Sequence, residues 1–201
     1  MEIVLATRNK KKIEEISRIM RDFPITILTL RNFPNCPDVA EDRDTFEGNA
    51  RKKAVEIAVC TGIPSLADDS GLEVDALEGA PGVYSARYAS CAGEVNDAKN
   101  NDKLLQELHN VAEAKRSARF VCCLALAFPD GDVKTFFGIS PGKISLEPRG
   151  TNGFGYNPIF IPEGHTRTFA EMSGEEKDRL SHRGKALRKL REYINYKYGH
   201  S

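Results

Sequence analysis

The feature that most limits how this chain can fold is the shortness of its apolar runs and their separation by stretches of helical periodicity. The longest run lies around Val121 to Phe128, far below the roughly 20 residues of a membrane helix, so no membrane partner is expected. Glu2 to Ala6 reads as a first strand, and Ile13, Ile16, Met20 and Phe23 follow at helical spacing. The pattern then repeats. Ile25 to Leu30 is a strand candidate. Phe46, Ala50, Ala54, Ile57 and Ala58 mark a helix closed by Gly62, and Ser65 to Asp68 and Gly71 to Ala76 are extended pieces. Leu104, Leu105, Leu108 and Val111 mark a third helix. Arg119 to Phe128 and Val133 to Phe137 flank the turn Pro129-Asp130-Gly131. Lys143 to Leu146 and Ile159 to Ile161 are further short strands, and Ala186, Leu187, Leu190 and Ile194 define a last helix. Interleaved strands and helices predict an α/β fold with a mixed sheet.

Composition enters through charge. The 29 basic and 29 acidic residues cancel, which argues against a polyanion-coating protein and against a nucleic-acid partner. The cancellation hides local sorting. Residues 8–21 carry six basic and two acidic side chains, whereas residues 65–80 carry five acidic and no basic ones. Ordinary solvated faces would look like this; so would a site in which carboxylates hold a cation and lysines an anion. The five cysteines, Cys36, Cys60, Cys91, Cys122 and Cys123, are scattered without metal-ligand spacing, and the Met1 to Ala6 segment has no basic start or cleavage site. The expectation is a reduced, cytoplasmic protein.

Four short motifs carry candidate chemistry. Thr7-Arg8-Asn9-Lys10-Lys11-Lys12 lies on a strand-to-helix turn, where free N–H groups and the helix dipole favour anions, with Asn9 as N-cap. The same lysines also suit a solvated first helical turn. Asp68 and Asp69 follow a strand, where α/β proteins place active sites. Adjacent carboxylates repel, and Mg²⁺ would relieve that; an Asx-type turn with Ser70 is the alternative. Glu41 and Glu47 are further possible ligands. Gly153-Phe154-Gly155-Tyr156-Asn157-Pro158 offers close backbone approach and aromatic faces, or a tight turn with two core rings. Ser181-His182-Arg183 brings hydrogen-bond donors to the start of the last helix. The run Gly138-Ile139-Ser140-Pro141-Gly142 mimics a nucleophile elbow, but Pro141 lacks the N–H that an oxyanion hole there requires.

Taken in order, these pieces resemble the inosine triphosphate pyrophosphatase family. The matching runs are residues 5–12, Thr-Phe-Glu-Gly-Asn-Ala at 45–50 with Lys53, residues 67–77, 79–88 and 153–158, and Ser-His-Arg-Gly-Lys-Ala at 181–186. The resemblance implies one domain over residues 1–201, with a long twisted mixed sheet, flanking helices and two lobes around a nucleotide cleft. It implies a homodimer, Mg²⁺ dependence, and hydrolysis of ITP, dITP and XTP to the monophosphate and pyrophosphate. By position, Thr7, Asn9, Lys12 and Lys53 would hold phosphate. Asp69 would be the proton acceptor and a metal ligand, with Glu41 a second ligand and Ser70 a substrate contact. Phe154, Gly155, Tyr156, Asn157, Lys177, His182 and Arg183 would surround the base. Asn157 departs from the Asp the family usually carries there, and Asn152 stands where a glycine is common. Two competing readings are a pyrophosphatase for other modified nucleotides and a nucleotide-binding regulator without turnover.

Overall fold

The computed structural model describes residues 1–89 and 96–198. In chain order these residues form β1 (Glu2–Leu5), α1 (Lys10–Ile19), β2 (Thr26–Thr29), α2 (Phe46–Thr61), β3 (Ser65–Val74), α3 (Asp97–Glu107), β4 (Ser117–Ala127), β5 (Val133–Ile144), β6 (Phe160–Pro162), α4 (Gly174–Leu180) and α5 (His182–Tyr198). One six-stranded sheet has the order β2-β1-β3-β4-β5-β6. β1 runs parallel to both β2 and β3, with Val4 opposite Ser65, whereas β5 and β6 are antiparallel, with Gly142 opposite Pro162. The expected α/β class with a mixed sheet is what the chain adopts.

The chain divides into two compact units, the first from Met1–Asp69, Cys122–Gly138 and Arg183 onward, the second from Ser70–Val121 and Ile139–His182. Each has its own core. In the first, Ile3 and Leu5 of β1 and Cys122, Leu124 and Leu126 of β4 alternate inward at the strand period. Against them pack Ile16 of α1, Met20 at its C-cap, and Ala186, Leu187, Leu190 and Ile194 of α5, at helical spacing. The second core gathers Leu72 and Val74 of β3, Leu104 and Leu108 of α3, and the rings of Phe120, Tyr156, Phe160 and Phe169.

Three local expectations change. The two extended pieces at 65–68 and 71–76 are one strand, β3, which runs through both aspartates because cations inside the protein neutralise them. The segments 133–137 and 143–146 likewise fuse into β5, so Ser140 lies buried in mid-strand and no nucleophile elbow forms. A Cβ at Gly142 would meet the Ile161 carbonyl oxygen at 2.2 Å, so the bare glycine is what lets β6 pair closely. Finally, the cysteines are not all reduced. Cys36 and Cys60 form a disulfide with their Cα atoms 5.9 Å apart, Cys122 and Cys123 are free and buried, and Cys91 lies outside the described residues. Spacing alone gave no sign of the pair, which is 24 residues apart in sequence.

Candidate active site

The first unit holds the lysine turn and the paired acids. Asn9 caps α1 as expected, its Oδ1 accepting from the Lys12 N–H at 3.2 Å, while Thr7 Oγ1 accepts from the Asn9 N–H at 3.2 Å. Both side chains therefore shape the turn at the positive end of the helix. Lys10 and Lys11 are exposed on the first helical turn. Arg8 reaches the segment before α2, where it pairs with Asp38 at 2.6 Å and donates to the Cys36 carbonyl at 3.1 Å. Lys12 turns inward, its Nζ 2.6 Å from Asp68 Oδ1.

Asp68 and Asp69 are neighbours in β3, so their side chains leave opposite faces of the strand. They end in different environments. Asp68 is gripped by Arg183, with Nε at 2.9 Å from Oδ2 and Nη2 at 3.2 Å from Oδ1, and it also pairs with Lys12. Arg183 Nη1 donates to Glu15 Oε2 at 2.7 Å, so two buried acids face two cations. Burial pushes the Asp68 carboxyl up, but Arg183 and Lys12 outweigh it and hold the group well below the usual carboxylate range. The Cys122 thiol donates to Asp68 Oδ2 at 3.2 Å, and burial together with the Asp68 charge pushes that thiol up, so it is inert.

Asp69 belongs to a second cluster centred on Lys53. The Lys53 ammonium donates to Glu41 Oε1 at 2.5 Å, to the Asp68 carbonyl at 2.8 Å and to Asp69 Oδ1 at 3.1 Å. Burial opposes its charge, yet Asp69 and Glu41 raise its pKa above that of an ordinary lysine. For Asp69 the balance goes the other way. Burial raises its pKa to about 6, Lys53 opposes the rise, and the Glu41 charge adds to it. Two carboxylates thus share the Lys53 ammonium, and Lys12 adds a further attraction on Asp69. Hard oxygen donors suit Mg²⁺, and Glu41 and Asp69 are the residues that would hold it. Glu47 goes elsewhere, lying 3.9 Å from Arg51 and accepting from Thr135 Oγ1 at 3.3 Å.

The second unit holds the glycine-rich loop. Gly153 and Gly155 adopt left-handed conformations, with φ of 79° and 62°. Phe154 is half-buried, with Lys177 Nζ 5.2 Å from its ring centroid. Tyr156 is instead a core residue whose hydroxyl donates to the Ser85 carbonyl at 2.8 Å; it offers no open face. Asn157 is buried, and its Nδ2 makes no hydrogen bond among the described residues. That nitrogen lies against Gly153, where an added Cβ would meet it at 2.1 Å. His182 is buried with its ring stacked on Phe120, centroids 4.6 Å apart. Ser70 is half-buried at the start of this unit.

Arg183 departs most from the sequence reading. Its guanidinium, 2% exposed, is engaged by Asp68 and Glu15 rather than held out as a donor for a base. Sequence reasoning also passed over Glu15. The available signal was a carboxylate three residues after Lys12, beside Ile16 on the apolar stripe of α1. A charge on a buried stripe needs a buried partner.

An α/β fold with a lysine-bearing helix start beside paired buried carboxylates defines a protein with a built set of opposed charges suited to an anionic ligand. Comparison with known proteins agrees with that class. Residues 3–193 match the model of the Ham1 family, and the chain belongs to this family. It is 50% identical over 195 residues to a dITP/XTP pyrophosphatase of Geobacter sulfurreducens, covering 96% of each chain. A dITP/XTP pyrophosphatase of Desulforamulus reducens is 47% identical over 201 residues, covering 100% of this chain and 98% of the relative. Among solved structures, a HAM1 protein from Coxiella burnetii superposes with a TM-score of 0.88 at 42% identity, covering 98% of this chain and 99% of that one.

Proposed function

We propose that this protein hydrolyses deaminated purine nucleoside triphosphates (dITP, ITP and XTP) to the monophosphate and pyrophosphate, with Mg²⁺, as a cytoplasmic homodimer. The observation that carries the reading is Asp69, a buried carboxylate with a pKa of about 6 that accepts from Lys53, the ammonium it shares with Glu41. A base poised near neutral pH can take a proton from water and still be ionised under working conditions. Support for the substrate comes from the Ham1 relatives named as dITP/XTP pyrophosphatases.

In this reading the lysine turn and the Lys53 cluster handle the triphosphate, and the glycine-rich loop takes the base. Asp69 orients the attacking water and accepts its proton. Lys53, together with Lys12 and the N–H groups at the start of α1, offsets the charge that develops on the departing pyrophosphate. Bound Mg²⁺ supplies neutralisation of the polyphosphate charge. Asp68 takes no proton, because Arg183 and Lys12 keep it ionised; its role is to hold Lys12 in place.

Steady-state pyrophosphate release on a panel of dITP, XTP, dATP and dGTP, with and without Mg²⁺, tests this. A marked preference for dITP and XTP that needs the metal is the expected outcome. Tight binding of dITP without pyrophosphate release would favour a regulator, and turnover of methylated or pyrimidine nucleotides alone would move the substrate class.

A further inference from the structure

Gly155 is held at both of its backbone polar groups by one helix. Its N–H donates to Asp97 Oδ2 at 2.9 Å, and its carbonyl accepts from Asn101 Nδ2 at 3.1 Å. Asp97 and Asn101 are four residues apart on α3 and so project from the same helical face. Nothing lies within 4 Å of an added Cβ at Gly155, so the glycine answers to its φ of 62° and not to crowding. A left-handed glycine with open space beside it keeps many backbone conformations unless it is tied. The side chain between the two clamp residues does related work. Asn100 accepts from the Ala89 N–H at 2.8 Å and donates to the Ala86 carbonyl at 3.1 Å. That braces the turn whose Ser85 carbonyl receives the Tyr156 hydroxyl. Gly155 and Tyr156 are therefore pinned in succession, and Phe154 on one side and Asn157 on the other inherit a fixed direction.

We infer that Asp97 and Asn101 are positioning residues for nucleotide specificity: they clamp Gly155 so that Phe154 and Asn157 are pre-set for a purine base. The inference rests on the proposed function, since it takes the loop to bind the base. Neither residue touches substrate. Their effect is to remove the ordering cost that a loose loop would impose at each binding event. That cost falls on base recognition and not on polyphosphate recognition, which is assigned to the lysine turn and the Lys53 cluster.

The test uses the whole protein and the variants Asp97→Ala, Asn101→Ala and Asp97→Asn. KM and kcat are measured with dITP, and the affinities for IMP and for inorganic pyrophosphate by calorimetry. Each alanine variant is expected to raise KM and the Kd for IMP by about tenfold, the scale of one lost hydrogen bond to a charged or buried group, with kcat within about twofold. Pyrophosphate affinity stays unchanged. Asp97→Asn keeps an acceptor in place and restores KM. Unchanged KM in folded alanine variants, or a parallel loss of pyrophosphate affinity, overturns the inference. If the alanine variants do not fold, Asp97→Asn and Asp97→Glu decide: Asn should match the wild type and Glu, which displaces the acceptor, should raise KM, whereas equal values overturn the clamp. A wild type that neither binds IMP nor releases pyrophosphate defeats the functional reading and this inference with it; a normal wild type with indifferent variants defeats the inference alone.

Discussion

Arg183 and Asp68 meet side by side inside the first unit, two guanidinium nitrogens on two carboxylate oxygens at 2.9 and 3.2 Å, although 115 residues separate them in sequence. The pair joins the start of α5 to β3, and through Glu15 and Lys12 to α1. Removing one member of such a buried group leaves its partner charged and unmatched. Arg183→Leu is therefore expected to cost about 3–5 kcal/mol in urea unfolding. Asp68→Asn should also destabilise, and its cost should depend on pH. A carboxyl depressed in the folded state contributes stability above its unfolded value and loses it as pH falls through the folded value. The difference between wild type and Asp68→Asn should thus be full at neutral pH and shrink only in strong acid. A pH-independent difference would contradict the assignment.

Asp69 predicts the opposite sign. Its folded pKa of about 6 lies above the ordinary value, so the folded protein binds the extra proton between the two. The stability tied to that proton is present below the unfolded value and lost as pH rises through about 6. Metal-free Asp69→Asn should then be at least as stable as the wild type at pH ~8, with the advantage fading toward pH ~4. The same substitution should lower kcat by at least about a hundredfold. A variant that is both less stable at alkaline pH and fully active would remove Asp69 from its proposed role.

Asn157 predicts a change in selectivity. Its buried amide has a nitrogen without a hydrogen bond among the described residues, so flipping the amide breaks no bond to that atom. An amide that can present either oxygen or nitrogen accepts a 6-oxopurine or adenine; a carboxylate only accepts hydrogen bonds and disfavours adenine's bare nitrogen. Asn157→Asp should raise the ratio of kcat/KM for dITP over dATP, chiefly by lowering the dATP value. An unchanged ratio with both activities intact means that residue 157 does not read the base.

The Cys36–Cys60 disulfide should be worth about 3.5 kcal/mol by the loop-closure relation. It closes a stretch that contains Glu41, Asp42 and Lys53, so its loss loosens the segment that carries Glu41 toward Lys53. Reduction, or Cys36→Ser, should lower Tm and expose the bond after Arg43 to trypsin. Thiol counting under denaturing conditions before and after reduction checks that the bond is present. Equal Tm and equal digestion in both states would show that the ion pairs at Arg8 and Lys52 hold this segment without it.

Local pattern carried much of the architecture. The strand and helix periods placed nearly every element, the Asn9 cap formed as its spacing predicts, and Gly62 ends α2 in the left-handed conformation. These depend on residues within one or two turns of each other, which a linear reading sees directly. The lysine turn and the aspartate pair were legible as candidate chemistry for the same reason. What each aspartate does was not. Asp68 and Asp69 are identical in type and adjacent in sequence, and they differ only in which distant cations the fold brings to them: Arg183 and Lys12 to one, Lys53 with Glu41 to the other. The Cys36–Cys60 bond and the α3 clamp on Gly155 were hidden likewise. Charge energy depends on separation in space and on burial, so the tertiary structure alone decided which acid is locked in ion pairs with its pKa depressed and which is raised to about 6.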